Sequence, residues 1–101
     1  MRFLIRVSYS TPKFNEAVRD GSAGAKTQAI LEDLQPEAAY FTEIFGKRTA
    51  VLIVDIDDVA RIPSIAEPFF LHFDAEISFH PVMSPEDLGR AGLDELGEKW
   101  G

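Results

Sequence analysis

Ala50 to Val54 reads Ala-Val-Leu-Ile-Val, a run that is apolar on both faces of any strand it forms. Such a run suits a central strand buried on both sides, so something must cover each face of its sheet. The residues before it supply the strand's partner. Pro36 closes what precedes, and Glu37 to Ile44, then Phe45-Gly46-Lys47, then Arg48 to Ile56 predict two strands joined by a short glycine-containing turn. This β-hairpin is the anchor around which the remaining elements are arranged.

The other segments carry their own periods. From Arg2 to Tyr9 the chain alternates strictly, with Phe3, Ile5, Val7 and Tyr9 on one face and Arg2, Leu4, Arg6 and Ser8 on the other, which predicts a first strand. Thr11 as N-cap and Pro12 at the first helical position open a helix to about Leu34, with Phe14, Ala17, Val18, Ala25 and Ile30 roughly on one stripe. Its middle, Asp20-Gly21-Ser22-Ala23-Gly24, is weak helix material and predicts a break or a close approach to the sheet. After the hairpin, Asp57 and Asp58 cap a second helix whose stripe is Ile62, Ile65, Ala66, Phe69, Phe70 and Phe73. Pro63 fits its first turn, while Pro68 lies inside and should kink or split it. Ala75 to Met83 alternates as a fourth strand, and Pro81 within it argues for an edge or a strand end. Ser84-Pro85-Glu86-Asp87 then caps a last helix with a sparse stripe of Leu88, Leu93, Leu96 and Trp100, made marginal by its glycines.

This order predicts an α+β, ferredoxin-like βαββαβ domain over residues 1-83, with a helical tail of the same domain over 84-101. The expected sheet is four-stranded and antiparallel, of spatial order 4-1-3-2, with both helices on one face. The other face would be bare, although Leu4, Tyr40, Val51, Ile53 and Val82 put apolar area among its polar groups. A mixed patch of that kind marks an interaction site. A second copy of the same sheet is the natural cover, giving a homodimeric α/β barrel. Its polar row would be Arg2, Arg6, Ser8, Glu76, Ser78 and His80.

Composition narrows the partners. The 101 residues carry a formal charge of -7, which opposes the basic footprint that nucleic acid or an anionic membrane surface requires. No apolar run approaches the length needed to span a bilayer, and the charge-interrupted start Met1 to Arg6 reads as a strand. There is no cysteine, so disulfides, thiolate zinc sites and a cysteine nucleophile are excluded, and a reducing cytoplasm is the expected location.

Five side chains on the predicted open face carry the chemistry a site would need. His80, near the Glu76 carboxylate, is the candidate general base. Arg6, with Arg2 nearer the terminus, can hold a carboxylate or enolate by bidentate contacts. Tyr40 can donate a hydrogen bond to a substrate oxygen. Each has an equally plain structural role: an interface histidine, cross-sheet salt bridges to Glu76 or Asp55, and a packed strand aromatic. His72 falls at the edge of the second helix's stripe and reads as a boundary residue. With two histidines and no calcium-loop spacing, no metal is expected, and the Asp55 to Asp58 cluster is better explained by helix capping. No glycine-rich phosphate loop or nucleophile elbow occurs, so no cofactor is expected.

The segments Pro36-Glu37-Ala38-Ala39-Tyr40-Phe41, Gly46-Lys47-Arg48-Thr49, Ile62-Pro63-Ser64-Ile65-Ala66-Glu67-Pro68 and Pro81-Val82-Met83-Ser84-Pro85-Glu86-Asp87-Leu88 together resemble a family of small, uncharacterised bacterial proteins. The resemblance spans about residues 36 to 88. It implies the ferredoxin-like, dimeric-barrel shape and carries no catalytic residues. More distantly, the shape is similar to muconolactone isomerases, cofactor-free monooxygenases and small dehydratase-like barrels. Three functions stay open: a homodimeric ligand-binding or interaction module, a plain structural dimer that needs no site, and a cofactor-independent isomerase, lyase or monooxygenase acting on a small organic acid or aromatic.

Overall fold

Strand β1 (Arg2–Ser8) is the hub of the fold in the computed structural model, which describes Met1–Gly101. Its alternation sets its neighbours. Phe3, Ile5 and Val7 are buried beneath the helices, and Leu4, Arg6 and Ser8 are half-exposed on the opposite face. β1 pairs antiparallel with both β3 (Lys47–Asp55) and β4 (Glu76–Pro81), while β3 also pairs with β2 (Ala38–Ile44). The four-stranded sheet runs β2-β3-β1-β4, or β4-β1-β3-β2 from the other edge. β4 is therefore an edge strand, and Pro81 is its last residue, where a missing N–H does least harm.

The hairpin between β2 and β3 closes on two residues. Ile44 pairs with Lys47, and Phe45 and Gly46 both have positive φ, 55° and 77°, the signature of a type I′ turn. The Gly46 N–H donates to the Glu43 carboxylate at 2.9 Å. Lys47, expected in the turn, already belongs to the strand.

Helix α1 (Thr11–Asp20) and helix α2 (Ala23–Leu34) replace the single expected helix. The weak segment does break: Gly21 adopts φ 81° and its N–H caps the end of α1. The N-cap is Ser10 and not Thr11, because the Ser10 hydroxyl accepts from the Lys13 N–H at 3.3 Å, which places Thr11 and Pro12 inside the first turn. The break also resets the helical phase. Phe14 and Ala17 face the sheet from α1, and Ile30, Leu31 and Leu34 do so from α2, whereas Val18 and Ala25 point outward.

Asp58 caps a 3₁₀ turn (Val59–Arg61), its carboxylate accepting from the Ala60 N–H at 2.9 Å, and helix α3 (Ile62–Phe73) follows directly. The helix runs through Pro68 without splitting. Ile65, Ala66, Phe69 and Phe73 are buried against the sheet, but Phe70 is exposed and drops out of the expected stripe. Tyr9, Phe14, Phe69 and Phe73 meet in an aromatic cluster, with Tyr9 edge-on to Phe14 and Phe73 at 4.8 and 5.2 Å and Phe14 stacked on Phe73 at 5.0 Å. Ile5, Val7 and Leu52 complete this core from the sheet.

All of the core lies on one side of the sheet. Val51 and Ile53 stand on the other side, half-exposed, so within one chain the central run is covered on one face only. The tail departs from expectation as well. It forms two short helices, α4 (Pro85–Gly89), closed by a Ser84–Asp87 capping box, and α5 (Leu93–Trp100), separated at Gly92 with φ 73°. Neither has a buried residue, and Leu88, Leu93, Leu96 and Trp100 are all exposed. The radius of gyration is 17.0 Å and the long axis 59 Å, against about 13 Å expected for a compact chain of this length. The projecting tail accounts for that elongation. No helix is long and apolar enough to cross a membrane.

Candidate functional site on the open sheet face

The strand register arranges the open face as rows. Thr42, Thr49, Ser8 and Glu76 form one row from edge to edge. Tyr40, Val51, Arg6 and Ser78 form the next, and Ala38, Ile53, Leu4 and His80 the third. Apolar Val51, Ile53 and Leu4 thus sit at the centre, with polar groups around them. Every residue of the expected polar row lies on this side, because period-two alternation commits a whole strand once one position is known.

Sharing a face does not make the candidates meet. Glu76 and His80 are four residues apart on β4, about 13 Å along the strand. The carboxylate–imidazole pair drawn from the sequence is therefore not formed within the chain, and His80 stands opposite Leu4. Arg6 lies opposite Ser78, diagonal to both Glu76 and His80, and forms no ion pair with either. Tyr40 is in the same row as Arg6 but two strands away, about 10 Å, and is 67% exposed. Arg2 is already engaged. Its Nε donates to both oxygens of Glu37 at 2.9 and 3.2 Å, and the same bond raises the guanidinium further above its ordinary value. Asp55, suggested as the partner of Arg2, instead takes the N-terminal ammonium at 2.9 Å. His72 is exposed at the last turn of α3.

What the open face does assemble is a depression of about 380 Å³ near the hairpin. Arg6, Ser8, Glu76 and Ser78 line its floor, and Ile44, Phe45 and Lys47 of the hairpin complete its wall. The hairpin residues were not singled out as site residues from the sequence. Their signal was the Phe45-Gly46 pair: an aromatic at positive φ, 93% exposed, at the tip of a turn that glycine or asparagine ordinarily occupies. Two cations, Arg6 and Lys47, and one carboxylate, Glu76, border the depression, so its local balance is basic in a chain of charge -7. The arrangement can hold a small anion by its cations while Glu76 and the serines take hydrogen-bond donors. It brings no imidazole to that point. No group of three or more His, Asp or Glu side chains converges as a metal site. Comparison of the sequence with protein-family models and with curated proteins gives no match.

Proposed function

We propose that this chain is a ferredoxin-like subunit of a homodimer, whose two sheets pack open face to open face as an α/β barrel and hold a small anionic ligand beside Arg6 and Lys47. The observation that carries the reading is the bare face itself. Leu4, Val51 and Ile53 are half-exposed at the centre of a sheet whose other side carries the whole buried core. Four strands about 4.8 Å apart and seven residues of about 3.3 Å give a face of roughly 19 by 23 Å. Side chains standing up from it bring its accessible area to the order of the roughly 800 Å² per partner of a stable interface.

A second copy suits this face by charge as well as by shape. Arg6 and Glu76 have no ion-pair partner in their own chain, and a two-fold axis lying between the two sheets and parallel to them can set each Arg6 against the partner's carboxylate. Such pairs fix register more than they add affinity. The spacing of His80 from Glu76 favours this binding role over the acid–base enzyme that the sequence also allowed.

Sedimentation velocity tests the reading. The chain should sediment as a dimer; Ile53→Asp, which buries a carboxylate at the centre of the interface, should give a folded monomer. Arg6→Glu should weaken the dimer, and adding Glu76→Arg should restore it. A native chain that remains monomeric at high concentration, or an Ile53→Asp dimer as tight as the native one, would sink the proposal.

A further inference from the structure

The break between α1 and α2 opens a second cavity, on the helix-covered side of the sheet at its β2–β3 end, where Thr42 and Thr49 also contribute to the lining. It holds about 350 Å³, within the range of small-molecule sites. Tyr9, Phe14 and Phe41 supply aromatic wall, Thr27 and Gly24 come from α2, and Arg48 is its one charged residue. Gly24 matters because a Cβ built there meets no atom within 4 Å, so the helix leaves that space open.

Arg48 is held in place without being neutralised. Its guanidinium lies over the Phe14 ring at 4.8 Å, and one nitrogen donates to the side-chain amide oxygen Oδ1 of Asn15 at 2.9 Å. Both partners are uncharged. Glu43 stands opposite Arg48 in the hairpin register, yet the two form no ion pair, and the Glu43 carboxylate accepts from the Gly46 N–H instead. Arg2, Arg61 and Arg90 are each paired with an acid, whereas Arg6, Arg19 and Arg48 are not. Arg48 is set apart by its fixed position over an aromatic ring at the edge of a cavity. Its planar fork matches a carboxylate. One further observation points to a ligand: Phe41 is 55% exposed beside the cavity.

We infer that this cavity binds a small planar aromatic carboxylate, its ring against Phe41 and the edge of Phe14 and its carboxylate on Arg48. The ring gains edge-on and stacked contacts with the wall, and the carboxylate gains a charge-assisted bond at the rim. The site is separate from the dimer face, so either proposal can fail alone.

The test is a titration of the full chain, followed by amide chemical shifts, with indole-3-acetate and with uncharged 3-methylindole. Both probes should produce saturable shifts at Ala23, Gly24, Thr27 and Phe41. Arg48→Gln should weaken indole-3-acetate about tenfold or more while leaving 3-methylindole within about twofold, since only the acid loses a bond to a charged group. Gly24→Leu, which fills the cavity from a helical position with ordinary φ, should abolish both. Absence of saturable shifts at millimolar probe, shifts centred on Arg6, Ser8 and Ser78, or equal effects of Arg48→Gln on the two probes would each overturn the inference.

Discussion

Phe45→Asn should stabilise the chain even though it removes a phenylalanine. Phe45 has φ 55° and is 93% exposed at the first central position of a type I′ turn. An ordinary L-residue in that left-handed region costs about 1–2 kcal/mol, and asparagine relieves much of it. The loss on the other side is small. With 7% of a side chain of about 200 Å² covered, the burial forfeited is about 15 Å², or about 0.4 kcal/mol. The net gain is then on the order of 0.5–1 kcal/mol, which for a domain of this length raises Tm by about 3–5 °C. The Glu43 carboxylate that accepts from Gly46 is untouched, so the turn keeps its hydrogen bond. Urea unfolding followed by far-UV circular dichroism, at the lowest workable protein concentration, measures the effect. An increased midpoint at constant m-value is expected. An unchanged or lowered midpoint would show that Phe45 makes contacts in the monomer that its exposure denies, and the strain argument would fail.

The remaining predictions concern the core and the tail. Burial pushes the Tyr9 phenol up to about 12, from 10.0 in water, so the unfolded chain releases this proton first. Its contribution, about 3 kcal/mol, is therefore present below pH 10 and is lost as pH rises from about 10 to 12. Tyr9→Phe should flatten this alkaline limb of the stability profile, and an identical limb in the variant would refute it. Ending the chain after Met83 removes two helices with no buried residue, so the midpoint of unfolding should hold while the radius of gyration, measured by small-angle scattering, falls from 17.0 Å toward about 13 Å. A large loss of stability would mean that the tail packs on the body.

The parts of the fold legible in the sequence are those governed by a local period. Arg2 to Ser8 and Glu76 to Pro81 alternate, and alternation alone put Arg6, Ser8, Glu76, Ser78 and His80 on one face. The glycines at 21 and 24 announced the helix break for the same local reason. What the period does not contain is position along the strand. Glu76 and His80 share a face but are separated by two pleats, so a pairing read from the shared face alone is not supported by the geometry. The Ser10 cap was missed because Ser10 and Thr11 are chemically equivalent candidates, and only backbone geometry chooses between them. The hairpin's part in the depression depends on how the twisted sheet brings Phe45 and Lys47 toward Ser8 and Glu76, a long-range property.

The two sides of the sheet divide the chemistry. Buried hydrophobes cover most of the helix side, and at the α1–α2 break that cover opens into an aromatic-walled cavity. Gly24, Phe41 and Arg48 would each be better used in a filled core by a larger, buried or neutral side chain. A structural account that treats them as filler leaves Phe41 exposed and Arg48 without an acid. The open side has the opposite character: half-exposed Leu4, Val51 and Ile53 ringed by polar groups. A second sheet laid on that side would leave the mouth of the aromatic cavity untouched. Assembly and ligand capture by Arg48 are thus predicted to be independent, and a ligand that bound both the monomer formed by Ile53→Asp and the native chain with equal affinity would establish that separation.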